Sequence, residues 1–260
     1  MERCYNSYMD IQKITAMREG GKILGTILAE LRDYVDVGMT KRQLDAWVRK
    51  KITDAGAIVS YDQLPQKFPG AICISVNDEL VHGAPNSDYA LQDGDKVSFD
   101  LVIGYKGYHT DAAFTTTVGK ASPAVKQMIK TTEKSLWAGI ATVAPGTHLG
   151  DIGYAVETVL RRGHLGIIEN YVGHFIGKSM HMEPEVPNFG KRGRGYILRP
   201  GDTLCIEPMS SLGKPYNHVS PENGWDVILS DGSIGCHCEH TILVTETGFE
   251  VLTLPNCPKE

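Results

Sequence analysis

Four carboxylates and one imidazole stand out by where the chain puts them. Asp100 and Asp111 lie in VSFDLVIGYKGYHTDAAFTTTV, which reads as a β-hairpin turning at Gly104-Tyr105-Lys106-Gly107. A two-residue loop between the two glycines pairs Asp100 directly with Asp111 on one face, flanked by Phe99, Leu101, Ala112, Ala113 and Phe114. Like charges opposed across two strands repel, and apolar flanks leave little water to screen them. A shared proton relieves the repulsion, and so does a bound cation. The alternative is a longer loop, a slipped register and two aspartates facing water.

Three further residues favour the cation. Glu207 lies in the strand-like LCIEP, and Glu239 opens the strong strand of CHCEHTILV, where an unpaired acid is uncommon. His174 lies in the glycine-punctuated YVGHFIGKSMHMEP, with His181 seven residues on. A set this rich in oxygen is unlike a structural zinc site and suits ions of the Mn, Fe or Co kind, or Mg. Two divalent ions about 3.5–4 Å apart form a clamp for hydrolysis, and their four positive charges match four carboxylates. Cys236 and Cys238 invite a zinc site, but strand alternation sets them with His240 on one face and His237, Glu239 and Thr241 on the other. Both cysteines read as small buried hydrophobes. His109, His148, His164, His218, His237 and His240 carry no functional expectation.

These residues need a scaffold, and the chain builds one twice. Ile11, Ile14, Met17, Gly21, Leu24, Leu28, Leu31 and Val35 recur at helical steps. A second helix opens at Thr40 with Gln43 as its capping-box partner. Strands follow, as AIVSY, AICISVN and the hairpin. The order restarts at Ser122-Pro123, an N-cap and first-turn proline, with a further helix opening at Thr147 and strands through YILRPGDTLCIEPMS and HCEHTILVTE. Shifting the chain by 107 residues sets Thr40 on Thr147, Gly56 on Gly163, Leu91 on Leu198, Asp95 on Asp202 and Asp100 on Glu207. The expected fold is therefore α+β: duplicated helix-helix-sheet halves, about 10–120 and 121–250, related by a pseudo-two-fold axis within one catalytic domain spanning 1–260.

Composition fits this. Of 260 residues, 42% are apolar and 22% charged, as in an ordinary folded core. The net charge of -5 argues against specific nucleic-acid binding. No run approaches a membrane span, and MERCYNSYMDIQK lacks a secretory pattern. Six cysteines without disulfide spacing, at positions 4, 73, 205, 236, 238 and 257, point to a reducing compartment, hence the cytoplasm.

Taken together, GDKVSFDL, the aspartate eleven residues on, YVGHFIGKSMHMEP, PGDTLCIEP and CEHTILVT resemble the type I methionine aminopeptidases, over essentially the whole chain. The resemblance implies the pita-bread fold shared with prolidases and creatinase. It implies two divalent ions (Co, Mn, Fe or Zn) held by Asp100, Asp111, His174, Glu207 and Glu239, with Asp111 and Glu239 bridging. It places His82 near the substrate amine and His181 near the scissile carbonyl, with Glu207 as proton shuttle. Phe68, Cys73, Met180 and Trp225 match the methionine pocket. The implied reaction removes N-terminal methionine, before small residues, by attack of a metal-bridging hydroxide. The implied partners are nascent polypeptides, with the ribosome as a transient one, and the implied state is monomeric. Phe175 departs from the family's Gly-His-Gly-Ile-Gly, so altered backbone angles or an altered pocket rim is expected there. DQLPQKFPGA before Cys73 lacks the family's common Tyr-His-Gly. Neither departure touches a proposed ligand.

Overall fold

The structure is a computed structural model that describes residues 10–255; Cys4 and Cys257 lie outside it. Helix α1 (Ile11–Tyr34) starts at Asp10, whose side chain accepts from the Lys13 amide, and its buried stripe runs from Ile14 to Leu31. Ile11, expected on that stripe, is 72% exposed because it occupies the solvent side of the first turn. Helix α2 (Lys41–Asp54) carries the Thr40–Gln43 capping box, and Leu44, Val48 and Ile52 face inward. The first half continues with β1 (Ile58–Val59), β2 (Cys73–Val76), β3 (Glu79–Val81), β4 (Lys96–Tyr105) and β5 (Tyr108–Thr117). The segment after Val59 is a 3-10 turn, Ser60–Gln63, and not the strand expected of AIVSY.

The second half repeats the plan. Helix α3 (Pro123–Ile140) has Ser122 as N-cap and proline in its first turn. Helix α4 (Leu149–Arg162) is capped by His148, not Thr147, and the His148 amide donates to Asp151. The strands are β6 (Gly166–Ile167), β7 (Gly173–Phe175), β8 (Met182–Val186), β9 (Thr203–Ile206), β10 (Met209–Ser211), β11 (Asn217–Val219), β12 (Val227–Leu229), β13 (Gly235–His237), β14 (Glu239–Val244) and β15 (Phe249–Val251).

The duplication is visible in the hydrogen bonds. Lys41 donates to Tyr89 as Leu149 does to Tyr196, and Gly94 to Val118 as Gly201 does to Val244. The offset is 108 residues from α2 to α4 and 107 at the strands that follow, so the second half has one residue fewer between them. That one-residue difference is why the cap falls at His148 and not at Thr147. It also sets the left-handed Gly56 against the left-handed His164, and not against Gly163 as the uniform shift has it.

A curled antiparallel sheet of nine strands runs β1-β4-β5-β14-β9-β7-β8, with β2 beside β4 and β15 beside β14. Each half has its own apolar core, Leu24 to Val118 on one side and Val125 to Val244 on the other. The halves meet where β5 pairs with β14. This is the α+β, pita-bread arrangement, with helices flanking one side of the sheet and its concave side left for the site.

Two side chains tie that seam together. Thr241 Oγ1 accepts from the Asp111 amide (2.9 Å) and donates to the Asp111 carbonyl (2.7 Å). Thr115 Oγ1 accepts from the His237 amide (3.1 Å) and donates to the His237 carbonyl (2.6 Å). The β5–β14 ladder has rungs at Glu239–Ala113 and His240–Ala112, and the threonines extend it at both ends.

Candidate metal centre

The hairpin register differs from the sequence reading. Tyr105 pairs with Tyr108, so the turn is Lys106-Gly107, with φ of 50° and 82°. Those left-handed angles belong to the two-residue turn whose twist matches the strands, and glycine takes the second of them without steric cost. Asp100 therefore faces Ala113, and Asp111 faces Val102. The two aspartates are diagonal and not directly opposed, but a two-residue shift preserves the face, so both still point to one side. Cys73 sits directly across from Asp100 on β2.

The other donors arrive from the second half. Glu207 follows β9, where Pro208 interrupts the strand before β10 resumes. Glu239 opens β14. His174 lies on β7, and Gly173 before it admits the Cys205 carbonyl where a Cβ would stand. The Nδ1–H of His174 donates to the Phe175 carbonyl at 3.0 Å, which leaves Nε2 as the lone-pair nitrogen. That Nε2 lies 3.5 Å from Glu207 Oε1 and 3.8 Å from Asp111 Oδ2. Donor atoms of Asp111, His174, Cys205 and Glu239 fall within 4.8 Å of one another, as do those of Glu207, His237 and Glu239.

All five line one cavity of about 180 Å³ with Tyr61, Val81, His82, Val102, Tyr171, Val172, His181 and Met209. His82 is held at φ 58°, a left-handed conformation costly for histidine and typical of functional sites. Its ring meets Tyr171 edge-on at 5.7 Å. His181 stands at the exposed mouth, its ring 4.4 Å from that of His174. Phe68, Cys73, Met180 and Trp225 do not line the cavity. They belong to the first-half core beside it, with Trp225 partly buried and edge-on to Phe68 at 5.3 Å. Tyr61 joins the two, touching Phe68 and placing its hydroxyl 3.4 Å from the Cys73 sulfur. Phe175 does not crowd the cavity. A β-bulge separates it from His174, and its ring packs into the second-half core against Tyr196 at 5.4 Å.

The electrostatics require a cation or protons. Burial drives the carboxyls of Asp111, Glu207 and Glu239 well above their usual range, and the neighbouring acids push further: Glu239, Asp100 and Glu207 on Asp111, Asp100 on Glu207, Glu207 and Asp100 on Glu239. Asp100 is raised for the same first reason. Burial, helped by the neighbouring imidazoles of His181 and His237, lowers His174 to about 3 and His82 to about 4. Neutral imidazoles therefore offer no positive charge to offset the acids. Asp111 Oδ1 and Glu239 Oε1 are buried with no hydrogen-bond partner among the described residues. Orphaned carboxylate oxygens in residues that cluster with a nitrogen lone pair are what a pair of divalent ions would satisfy. The donor set fits.

Several residues of the site carried no functional expectation from the sequence, among them Tyr61, Cys205, Tyr171 and His237. His237 is 1% exposed and faces Glu207 and Glu239. Strand alternation placed it on the Glu239 face, which was the available signal. Tyr171, beside His82, had none. Cys236 and Cys238 pack in the second-half core, apart from the donors, as expected.

Residues 15–246 match the model of metallopeptidase family M24. The chain belongs to that family. It is 38% identical to methionine aminopeptidase 1 of Bacillus subtilis (93% of this chain, 96% of the relative) and 40% identical to the methionine aminopeptidase of Clostridium perfringens, with the same coverage. The crystal structure of the Rickettsia prowazekii methionine aminopeptidase superposes with a TM-score of 0.90 at 34% identity, over 94% of this chain and 97% of that one. A prolidase from Pyrococcus horikoshii shares the fold alone, at a TM-score of 0.72 and 21% identity, with this chain spanning 63% of its length. No helix among the described residues is long and apolar enough to cross a membrane.

Proposed function

We propose that this M24 enzyme removes the N-terminal methionine of peptides and nascent proteins, preferentially before small residues. The observation that carries the reading is the convergence of four buried carboxylates and His174 on a cavity of about 180 Å³, with Tyr61 in its wall and Phe68 and Trp225 packed behind Tyr61. Asp100 with Asp111 on one side, and His174 with Glu207 on the other, would each hold one divalent ion, with Asp111 and Glu239 shared. When bound, such a pair supplies a nucleophilic hydroxide at neutral pH and Lewis-acid polarisation of the scissile carbonyl.

The chain's own residues do the rest. Tyr61, backed by Phe68, Trp225 and Cys73, takes the methionine side chain at the edge of the cavity and excludes water from it. His82, neutral at working pH, meets the substrate amine from inside the cavity. His181, at the mouth, donates to the carbonyl oxygen as charge develops there. Glu207, lying between His174 and His237, carries the proton to the leaving amine. Small cavity volume favours a small residue after methionine. Cytoplasmic location, a monomeric state and transient contact with the ribosome complete the proposal, because nascent chains are the abundant source of methionine N-termini.

Chelated protein resupplied with Co, Mn, Fe or Zn should cleave Met-Gly and Met-Ala faster than Met-Leu and leave X-Pro peptides intact. Preferential cleavage of X-Pro would replace this reading with a prolidase one. Metal binding without cleavage of any of them would leave a binding protein on an M24 scaffold.

A further inference from the structure

The seam between the halves holds two repeat-related positions, and the five-residue ligand set uses one. Asp111 pairs with Val102 in the first half, and His237 with Met209 in the second. Val102 and Met209 both line the cavity. The backbone of Asp111 is clamped by Thr241, and that of His237 by Thr115. His237 therefore occupies in its half the place that Asp111 occupies in the other.

Its ring is turned the same way. His237 Nε2 lies 3.4 Å from Glu207 Oε2 and 3.7 Å from Glu239 Oε2. Charge-assisted hydrogen bonds are shorter, at about 2.7–2.9 Å. Two donors each about 2.1 Å from a shared ion stand about 3.0–3.5 Å apart at octahedral to tetrahedral angles. His174 Nε2 keeps a matching 3.5 Å from the other oxygen of Glu207, so Glu207 lies between two imidazoles. Neither ring nitrogen of His237 has a partner among the described residues, although its side chain is 1% exposed. A buried imidazole left unpaired is costly, and an ion between it and the two glutamates removes that cost.

We propose that His237 is a sixth donor of the centre, a second imidazole beside Glu207 and Glu239 that tilts the site toward zinc and cobalt over manganese. Imidazole suits the former ions, whereas manganese is served by oxygen donors. The inference rests on the two-ion reading above and is tested apart from it. In cobalt-loaded protein, each metal-bound histidine with a protonated second nitrogen gives a strongly shifted exchangeable proton resonance. Two are expected in the native chain and one in His237→Gln. The variant should also lose at least about tenfold in zinc affinity relative to manganese, measured by chelator competition.

One shifted resonance in the native chain, with an unchanged zinc-to-manganese ratio in the variant, overturns the sixth donor and leaves the five-ligand centre standing. No cobalt uptake at all removes the centre itself. The native count needs no substitution, so it decides even if His237→Gln fails to fold.

Discussion

The two halves build their contributions to the site on unequal scaffolds. The first presents Asp100 and Asp111 from one hairpin with ten-residue strands and unbroken register. The second presents Glu207, His237 and Glu239 across a gap. Its ladder stops at Ile206–His240 and resumes in the same register at Met209–His237. Pro208 lacks an amide proton, and the bond bridging the gap runs from the Cys238 amide to the Pro208 carbonyl at 3.3 Å. Where the first half has Ser98 bonded to Thr115 (2.8 Å), the second has Cys205 near Thr241 at 3.6 Å. One repeat has kept regular pairing, while the other has given up a rung and set two glutamates and a histidine around the opening. Duplication thus supplied a symmetric frame, and the departures from symmetry sit at the donors.

If both halves serve one centre, a ligand removed from either should be equally damaging. Asp111→Asn and Glu239→Gln should each lower peptide turnover by at least about 100-fold, since even loss of a ligand's supporting partner costs 10–100-fold. Bound metal per chain should fall with it. Cys236→Ala, on the core side of the adjoining β13, should stay within about twofold of native turnover and lose stability instead. A Glu239→Gln enzyme with near-native turnover would show that the first half suffices.

Metal removal should be felt next most strongly. The carboxyls of Asp111, Glu207 and Glu239 are raised, so without metal they favour the fold at low pH. That contribution is complete below the unfolded value of about 4 and is lost as pH rises through the folded values. Metal displaces these protons, so its affinity should climb over the same rise. The His174 imidazole, lowered to about 3, does not compete with metal in this window. Saturating metal at about 100 times its Kd adds about 2.7 kcal/mol, or roughly 5–10 °C in Tm. With metal held at one fixed concentration, calorimetry should find a larger increment at pH 8 than at pH 5.5; an equal one would mean the acids are already ionised without metal.

Local chemistry made much of this legible in the sequence. Helix starts at Ser122 and Thr40 carry their own caps, and the offset that relates Asp100 to Glu207 is written in glycine, aspartate and leucine positions. The missing parts depend on contacts far apart in the chain. Hairpin register is fixed by the turn, and YKGY offers two ways to make it: Gly104 and Gly107 as flanks, or Gly107 within the turn at positive φ. The structure takes the second, because only that position needs glycine's freedom. His237 reads as an ordinary histidine until the Thr115 clamp, 122 residues away in sequence, shows its equivalence to Asp111. A uniform repeat shift hides the one-residue change of offset between α4 and the strands after it. Phe175 looks intrusive until strand alternation and the bulge turn its ring into the core.

The clamps give a finer comparison of the halves. Thr241→Val removes the hydroxyl that completes Asp111's backbone pairing, and Thr115→Val does the same for His237. Each leaves a buried amide and carbonyl unpaired, costing about 1–3 kcal/mol by denaturant unfolding. Similar losses in both would show that the seam is energetically symmetric despite its broken rung. A smaller loss for Thr115→Val would show that the gap at Pro208 has already loosened that side.

The smallest effect tests the regular half where it is furthest from the donors. Gly107 holds φ 82°, and an added Cβ would meet no atom within 4 Å. Any cost of Gly107→Ala is therefore backbone strain alone, on the order of 1 kcal/mol. Turnover should be unchanged, because Asp111 is fixed by Thr241 and by its pairing with Val102 and not by the turn. If instead turnover falls along with stability, the hairpin's register is held by its loop, and the regularity of the first half begins at Lys106-Gly107 and not at the seam.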